Sequence, residues 1–396
     1  MSSAIVVLAV ASGALAPGAV AEDVRPKQWY LDAMSAQQLW KESTGRGIKV
    51  AVVDTGVRET PGLKGRLRPG RDVTGMHGDA RNDYDGHGTT MAELIAGSGQ
   101  AGGLRGLAPE AELIPIRTGL GKQSESKTSD SAAAIRAAAD SDARIISMSF
   151  GGPYPYPDTK AAVKYAQSRG KLLFASVGNE AKKEGSVSYP AAYPGVIGVA
   201  AADKTGKVAK TSEFGPHVDL AAPGLNIPRW CDASFRSYCE NGSGTSFGTA
   251  IASASAALVW SKHPDWTANQ VLRVLIDTAG RDWPKDEPSD YLGYGLIRPA
   301  RNVVKGEGKP GPADVDPITN KKTTGPGTED GGSSPTASAS PQPAKGAATD
   351  GKEPVSAERA SDDGGSNTLW PVLGGLAAVL AIGGGAFAAL RARRRA

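Results

Sequence analysis

Short, unbroken apolar runs recur along much of the chain. Ile48-Lys49-Val50-Ala51-Val52-Val53, Glu112-Leu113-Ile114-Pro115-Ile116, Arg144-Ile145-Ile146-Ser147-Met148-Ser149, Leu172-Leu173-Phe174-Ala175-Ser176-Val177 and Val196-Ile197-Gly198-Val199-Ala200 have strand length and little polar alternation. That pattern suits strands buried on both faces. Between and after them lie helical patterns, at Ser129 to Ala139, Asp158 to Arg169 and Ala268 to Thr278. Strand and helix in alternation predict an α/β fold with a mostly parallel sheet and helices on both faces. In such sheets, functional sites gather beyond the carboxyl ends of the strands. The pattern is expected to form one large domain, residues 22–304.

Both ends carry a different kind of apolar segment. Ala4 to Val10 is an apolar core, followed by small residues and Ala19-Val20-Ala21. This reads as a secretory signal peptide, residues 1–21, cleaved after an Ala-x-Ala site. No Lys or Arg precedes it, so either the free amine suffices or the true start lies upstream. From Leu369 to Leu390 no charged residue occurs, and Trp370 stands at one end. About 20 apolar residues cross a bilayer core, so residues 368–390 are expected to be a single transmembrane helix. The basic residues 391–396 should then stay cytoplasmic by the positive-inside rule, with the domain outside the cell. Residues 305–367 are rich in Gly, Pro, Ser, Thr and acidic side chains. They are expected to form a disordered tether, because such a segment buries too little surface to offset its ordering entropy. No Leu-Pro-x-Thr-Gly sorting motif precedes the span, so a plain membrane anchor is expected.

Composition narrows the function classes. Of 396 residues, 40% are hydrophobic and 22% charged, and the net charge is +4. That charge is too small for nucleic acid, and no basic run is interleaved with aromatics. Cys231 and Cys239 are the only two cysteines. They make no zinc site by themselves, since zinc wants four ligands. In an exported chain a local disulfide is the natural reading, stabilising by roughly 2–3 kcal/mol in the chain-entropy model; two free buried thiols are the alternative.

Four positions carry candidate chemistry. Asp54 ends the first apolar run, in Val53-Asp54-Thr55-Gly56, where an Asp equally shapes a turn. His87 stands between glycines in Asp85-Gly86-His87-Gly88-Thr89, which leaves its ring accessible. Ser246, in Gly244-Thr245-Ser246-Phe247-Gly248, precedes a small-residue helix. A serine there is commonly an N-cap, but the helix start also offers N–H groups to a developing oxyanion. Asn179, in Gly178-Asn179-Glu180, is either a turn residue or a further oxyanion donor.

The order Asp, His, Ser is that of subtilisin. Asp54-Thr55-Gly56, His87-Gly88-Thr89 and Gly244-Thr245-Ser246 resemble the three signatures of subtilisin-like serine proteases, over nearly the whole of Lys27 to Val304. The resemblance implies a subtilisin-like three-layer fold and a catalytic triad of Asp54, His87 and Ser246, with Asn179 in the oxyanion hole. Ser149-Phe150-Gly151-Gly152 resembles the family's substrate-binding strand. Ser149, Gly151, Gly152 and Gly178 are therefore expected to bind substrate, with Ala175 to Gly178 lining the adjoining pocket. Ser188 to Pro194 resembles the segment that carries a cis proline. No cofactor or metal is implied.

A closer resemblance is to the mycosins, subtilisin-like proteases of actinobacterial type VII secretion. Gln28-Trp29-Tyr30-Leu31-Asp32-Ala33-Met34 resembles the start of their mature domain, and the Cys231–Cys239 pair resembles their short disulfide loop. The implied partners are protein or peptide substrates, the cell membrane and a type VII secretion complex. Two departures stand out. Phe247-Gly248-Thr249-Ala250 replaces the Met-Ala-x-Pro of many subtilisins, and only Glu22 to Ser35 precedes the core, too little for a folding pro-domain. Two other roles remain open: a general degradative surface protease, and a structural partner of a membrane complex in which proteolysis is secondary.

Overall fold

The computed structural model describes residues 23–120, 130–181 and 187–323. The chain divides into two units, Met1–Gly332 and Ser333–Ala396, and the second lies wholly outside the described residues. So do the expected signal peptide, transmembrane helix and basic tail. Among the described residues no helix is long and apolar enough to cross a membrane.

Seven parallel strands form the central sheet. They are β1 (Lys49–Asp54), β2 (Arg71–Asp72), β3 (Glu112–Arg117), β4 (Ile145–Met148), β5 (Leu172–Ser176), β6 (Val196–Ala202) and β7 (Leu220–Pro223). Their spatial order is β2-β3-β1-β4-β5-β6-β7. Each of the five apolar runs is a strand, and strand β1 shows why they lack alternation. Val50 and Val52 enter one core, Ala51 and Val53 the other. Successive side chains point to opposite faces, and both faces are covered, so every position is apolar.

The two covers differ in composition. On one face lie α3 (His87–Ala96), α6 (Thr245–Lys262) and α7 (Ala268–Asp277); on the other lie α4 (Asp130–Asp140) and α5 (Pro157–Ser168). Helix α6 is buried continuously from Thr245 to Trp260. Its Gly, Ala and Ser residues let it sit close to the sheet: a Cβ on Gly248 would lie 3.0 Å from the Ala200 carbonyl oxygen. Helix α7 instead has one apolar face and starts with a capping box, Thr267 and Gln270.

Elements without a strong sequence signal complete the fold. Helices α1 (Trp29–Ala33) and α2 (Ala36–Glu42) lead into β1. The antiparallel hairpin of β8 (Ile227–Trp230) and β9 (Tyr238–Gly242) is closed by a Cys231–Cys239 disulfide. Helix α8 (Pro299–Val303) follows α7.

Residues 305–323, expected to belong to the tether, are packed on the domain. Chain through Thr323 packs against α7: Arg273 Nη2 donates to the Val315 carbonyl (2.7 Å), and Thr267 Oγ1 donates to that of Ala313 (2.8 Å). Ile318 packs against the larger core, and Asp316 is buried. Polar composition hides this segment, because side-chain bonds to its backbone hold much of it in place.

Candidate active site

The carboxyl ends of the strands gather the expected residues. Asp54 closes β1 and is 1% exposed. Its Oδ1 meets His87 Nδ1 at 2.7 Å and accepts the Thr55 N–H at 2.8 Å. His87 opens α3, one residue after Gly86, whose φ of +95° reverses the chain. Gly88 has no room for a side chain, because a Cβ there would lie 2.1 Å from the Gly56 carbonyl oxygen. The glycines around His87 thus bring it against Asp54.

Asp83, which no sequence motif marks, holds this loop. It is buried and accepts from the hydroxyls of Thr55 (2.8 Å) and Thr89 (2.6 Å) and from the Gly86 and Thr89 N–H groups (2.8 and 2.9 Å). It also acts on the imidazole. Burial pulls the proton affinity of His87 down, but the Asp54 charge and hydrogen bond, with Asp85 and Asp83 behind, raise it above the ordinary histidine value. Burial is the largest single influence, and the acids outweigh it only together.

Ser246 lies in the first turn of α6 and is buried. Its hydroxyl donates to the Ser149 carbonyl (3.0 Å), while Ser149 Oγ donates to the Ser246 carbonyl (3.2 Å). Ser246, His87 and Asn179 line one cavity of about 280 Å³, roofed by Arg229 and Trp230 of the hairpin.

Asn179 follows β5 and faces the cleft. Its Oδ1 accepts the Thr245 N–H at 2.9 Å, with the Thr245 hydroxyl at 3.3 Å. A backbone N–H needs an acceptor, so this contact fixes which amide atom is oxygen. The Nδ2 donor is left to the cavity that Ser246 lines.

A second cavity, about 380 Å³, opens on the other side of Ser246. Ser149, Gly151, Gly152 and Gly178 all line it, as expected of substrate-binding residues. Two details differ from expectation. Ala175 and Val177 face the core instead of the pocket. Gly152 exchanges both its main-chain hydrogen bonds with Tyr189 (3.0 and 2.8 Å), so an added peptide strand cannot use them. The Tyr189–Pro190 peptide is cis. Glu213, also on this cavity wall, had no sequence signal.

A further cavity, about 830 Å³, lies at the other ends of the strands, beside Arg144 and Leu172, and contains none of these residues. Among the described residues no group of three or more His, Cys, Asp or Glu side chains is arranged to hold a metal ion. The segment from Asp23 to Ser35 lines neither cavity beside Ser246. It packs instead on the flank, where Trp29 Nε1 donates to the Leu225 carbonyl (2.9 Å) and Gln28 bonds to the Arg105 backbone.

The Subtilase family model (Peptidase_S8) matches residues 45–295. The chain belongs to the subtilase family. This subtilase is 35% identical over 240 residues to Subtilisin Savinase of Lederbergia lenta, covering 60% of this chain and 84% of that one. Its fold is similar to that of the MycP3 protease from the type VII (ESX-3) secretion system, with a TM-score of 0.60 and 30% identity over 70% of this chain and 88% of the other. It is likewise similar to MycP1 from Mycobacterium smegmatis, with a TM-score of 0.61 and 27% identity over 72% and 86% of the two chains. The subtilase is thus a subtilisin-like serine endopeptidase.

Proposed function

We propose that this subtilase is held at the outer face of a cell membrane and processes secreted proteins there, with Ser246 as nucleophile. The observation that carries the chemistry is the 2.7 Å contact of Asp54 with His87 on the rim of the cavity that Ser246 lines. Ser246 attacks the scissile carbonyl. His87 takes its proton and returns it to the leaving amine, while Asp54 keeps Nδ1 protonated and stabilises the imidazolium. The freed Nδ2 of Asn179 and the Ser246 N–H receive the oxyanion. Removing one such donor costs roughly 2.7–4 kcal/mol of transition-state stabilisation.

Location rests on the two apolar ends of the sequence, and the secretion role on likeness to proteases such as the one described as coming from the type VII (ESX-3) system. An anchor favours processing over digestion, since it confines the site to substrates passing the membrane. A scaffolding role inside a membrane complex is the second reading, and the same apolar segment Leu369 to Leu390 motivates it.

Ser246→Ala and a peptidyl phosphonate test the chemistry together. The expected result is loss of peptide hydrolysis and of covalent labelling; hydrolysis at the wild-type rate would refute the assignment. Deleting residues 368–390 tests the location: the enzyme should leave the membrane fraction with its peptidase activity intact. If secretion of native substrates then fails, scaffolding is favoured.

A further inference from the structure

The cavity of about 380 Å³ beside Ser246 carries acidic charge. Two carboxylates, Glu180 and Glu213, line it, and no Lys or Arg does among the described residues. Glu213 is the deeper of the two, 4% exposed, whereas Glu180 sits at the exposed rim. The Glu213 backbone N–H donates to the Gly178 carbonyl (3.0 Å), which anchors the residue behind the wall. Its Oε2 accepts the Ser188 hydroxyl (3.0 Å), and no cation pairs with it among the described residues. Gly178 must be glycine for this arrangement, because a Cβ there would lie 2.4 Å from the Glu213 carboxyl and 2.5 Å from the Ser188 hydroxyl.

A carboxylate this buried without a cation is costly, and the cost disappears when a positive charge enters beside it. Its proton affinity reports the same strain. Burial drives it above the ordinary glutamate value, against the Ser188 hydrogen bond and the Glu180 main-chain N–H. An apolar side chain entering the cavity would leave that strain in place, and an acidic one would add to it.

Resting on the reading of Ser246 as nucleophile, we infer that this cavity takes the side chain just before the scissile bond and selects Lys or Arg, with Glu213 as the selecting residue. The cation reaches past Gly151 and Gly178 and meets the carboxylate in a charge-assisted hydrogen bond. Gly178 serves the same end by letting that carboxylate approach the cavity.

The test uses the full chain and fluorogenic peptides differing only at that position. Lys and Arg peptides should exceed the Leu peptide in kcat/KM by about 10- to 100-fold, the range expected for one charge-assisted bond, and the Glu peptide should be poorest. In Glu213→Gln the Lys-to-Leu ratio should fall by a similar factor, and Glu213→Asp, which keeps the charge, should recover part of it. Thermal unfolding reads whether each variant folds. A measurement on the wild type alone covers a variant that does not: benzamidine should inhibit at least about 10-fold more strongly than neutral benzamide. A Leu preference, or a Lys preference unmoved in a folded Glu213→Gln, overturns the inference while leaving the protease reading intact. Cleavage that persists in Ser246→Ala overturns both.

Discussion

Asn179 has one amide orientation compatible with its neighbours, because the Thr245 N–H claims its oxygen. His87 is constrained in the same way: with Nδ1 committed to Asp54, only Nε2 can serve a substrate. It works as a base only when neutral, and Asp54 holds its proton on. The acid limb of kcat/KM should therefore have its midpoint above 6.5, the ordinary histidine value. Asp54→Asn should move that midpoint down and lower kcat by on the order of 10⁴-fold. A midpoint unchanged in the variant would show that Asp54 does not set it. Asp54, His87 and Ser246 stand out as candidates in the sequence because a strand end, flanking glycines and a helix start mark them. Asp83 and Glu213 do not, because each is an ordinary loop acid whose meaning comes from which segments it meets.

The hairpin β8–β9 owes its place to contacts that no periodicity announces. Trp230 N–H donates to Thr90 Oγ1 (3.1 Å), Trp230 stacks on Tyr238, and Tyr238 donates to Glu93 Oε2 (2.7 Å). The hairpin is thereby fixed to the helix that begins with His87. Glu93 is fully buried, and burial pushes its carboxyl from 4.5 up to about 7, against hydrogen bonds from Thr60 and Tyr238. The folded state thus binds this proton more tightly than the unfolded state. Stability is expected to fall as pH rises from 4.5 to about 7, by on the order of 3 kcal/mol. Denaturation across that window should show the slope in the wild type and a flatter profile in Glu93→Gln; equal slopes would assign it elsewhere. Doubly buried strands were legible because both faces demand apolar residues. The hairpin was not, since Arg229 and Glu240 face outward and its stability is tertiary.

At the scale of the whole chain, the folded boundary lies beyond the point where composition turns polar. A chain ending at Val304 should melt at a lower temperature than one ending at Thr323, because Arg273 and Thr267 lose the carbonyls they bond. Two lost bonds of about 1 kcal/mol each predict a drop of several degrees; identical melting would make residues 305–323 an ornament. The overall sheet order also has a temporal side. Asp54 and His87 meet on early segments, but Ser246 arrives only on α6, after the last strand of the sheet. During synthesis, at about 5–20 residues per second, the first two wait on the order of ten seconds for the third. A growing chain is therefore expected to be chemically silent until α6, buried from Thr245 to Trp260, is in place. The order of elements along the chain thus delays proteolysis until all seven strands of the sheet that must survive it have been made.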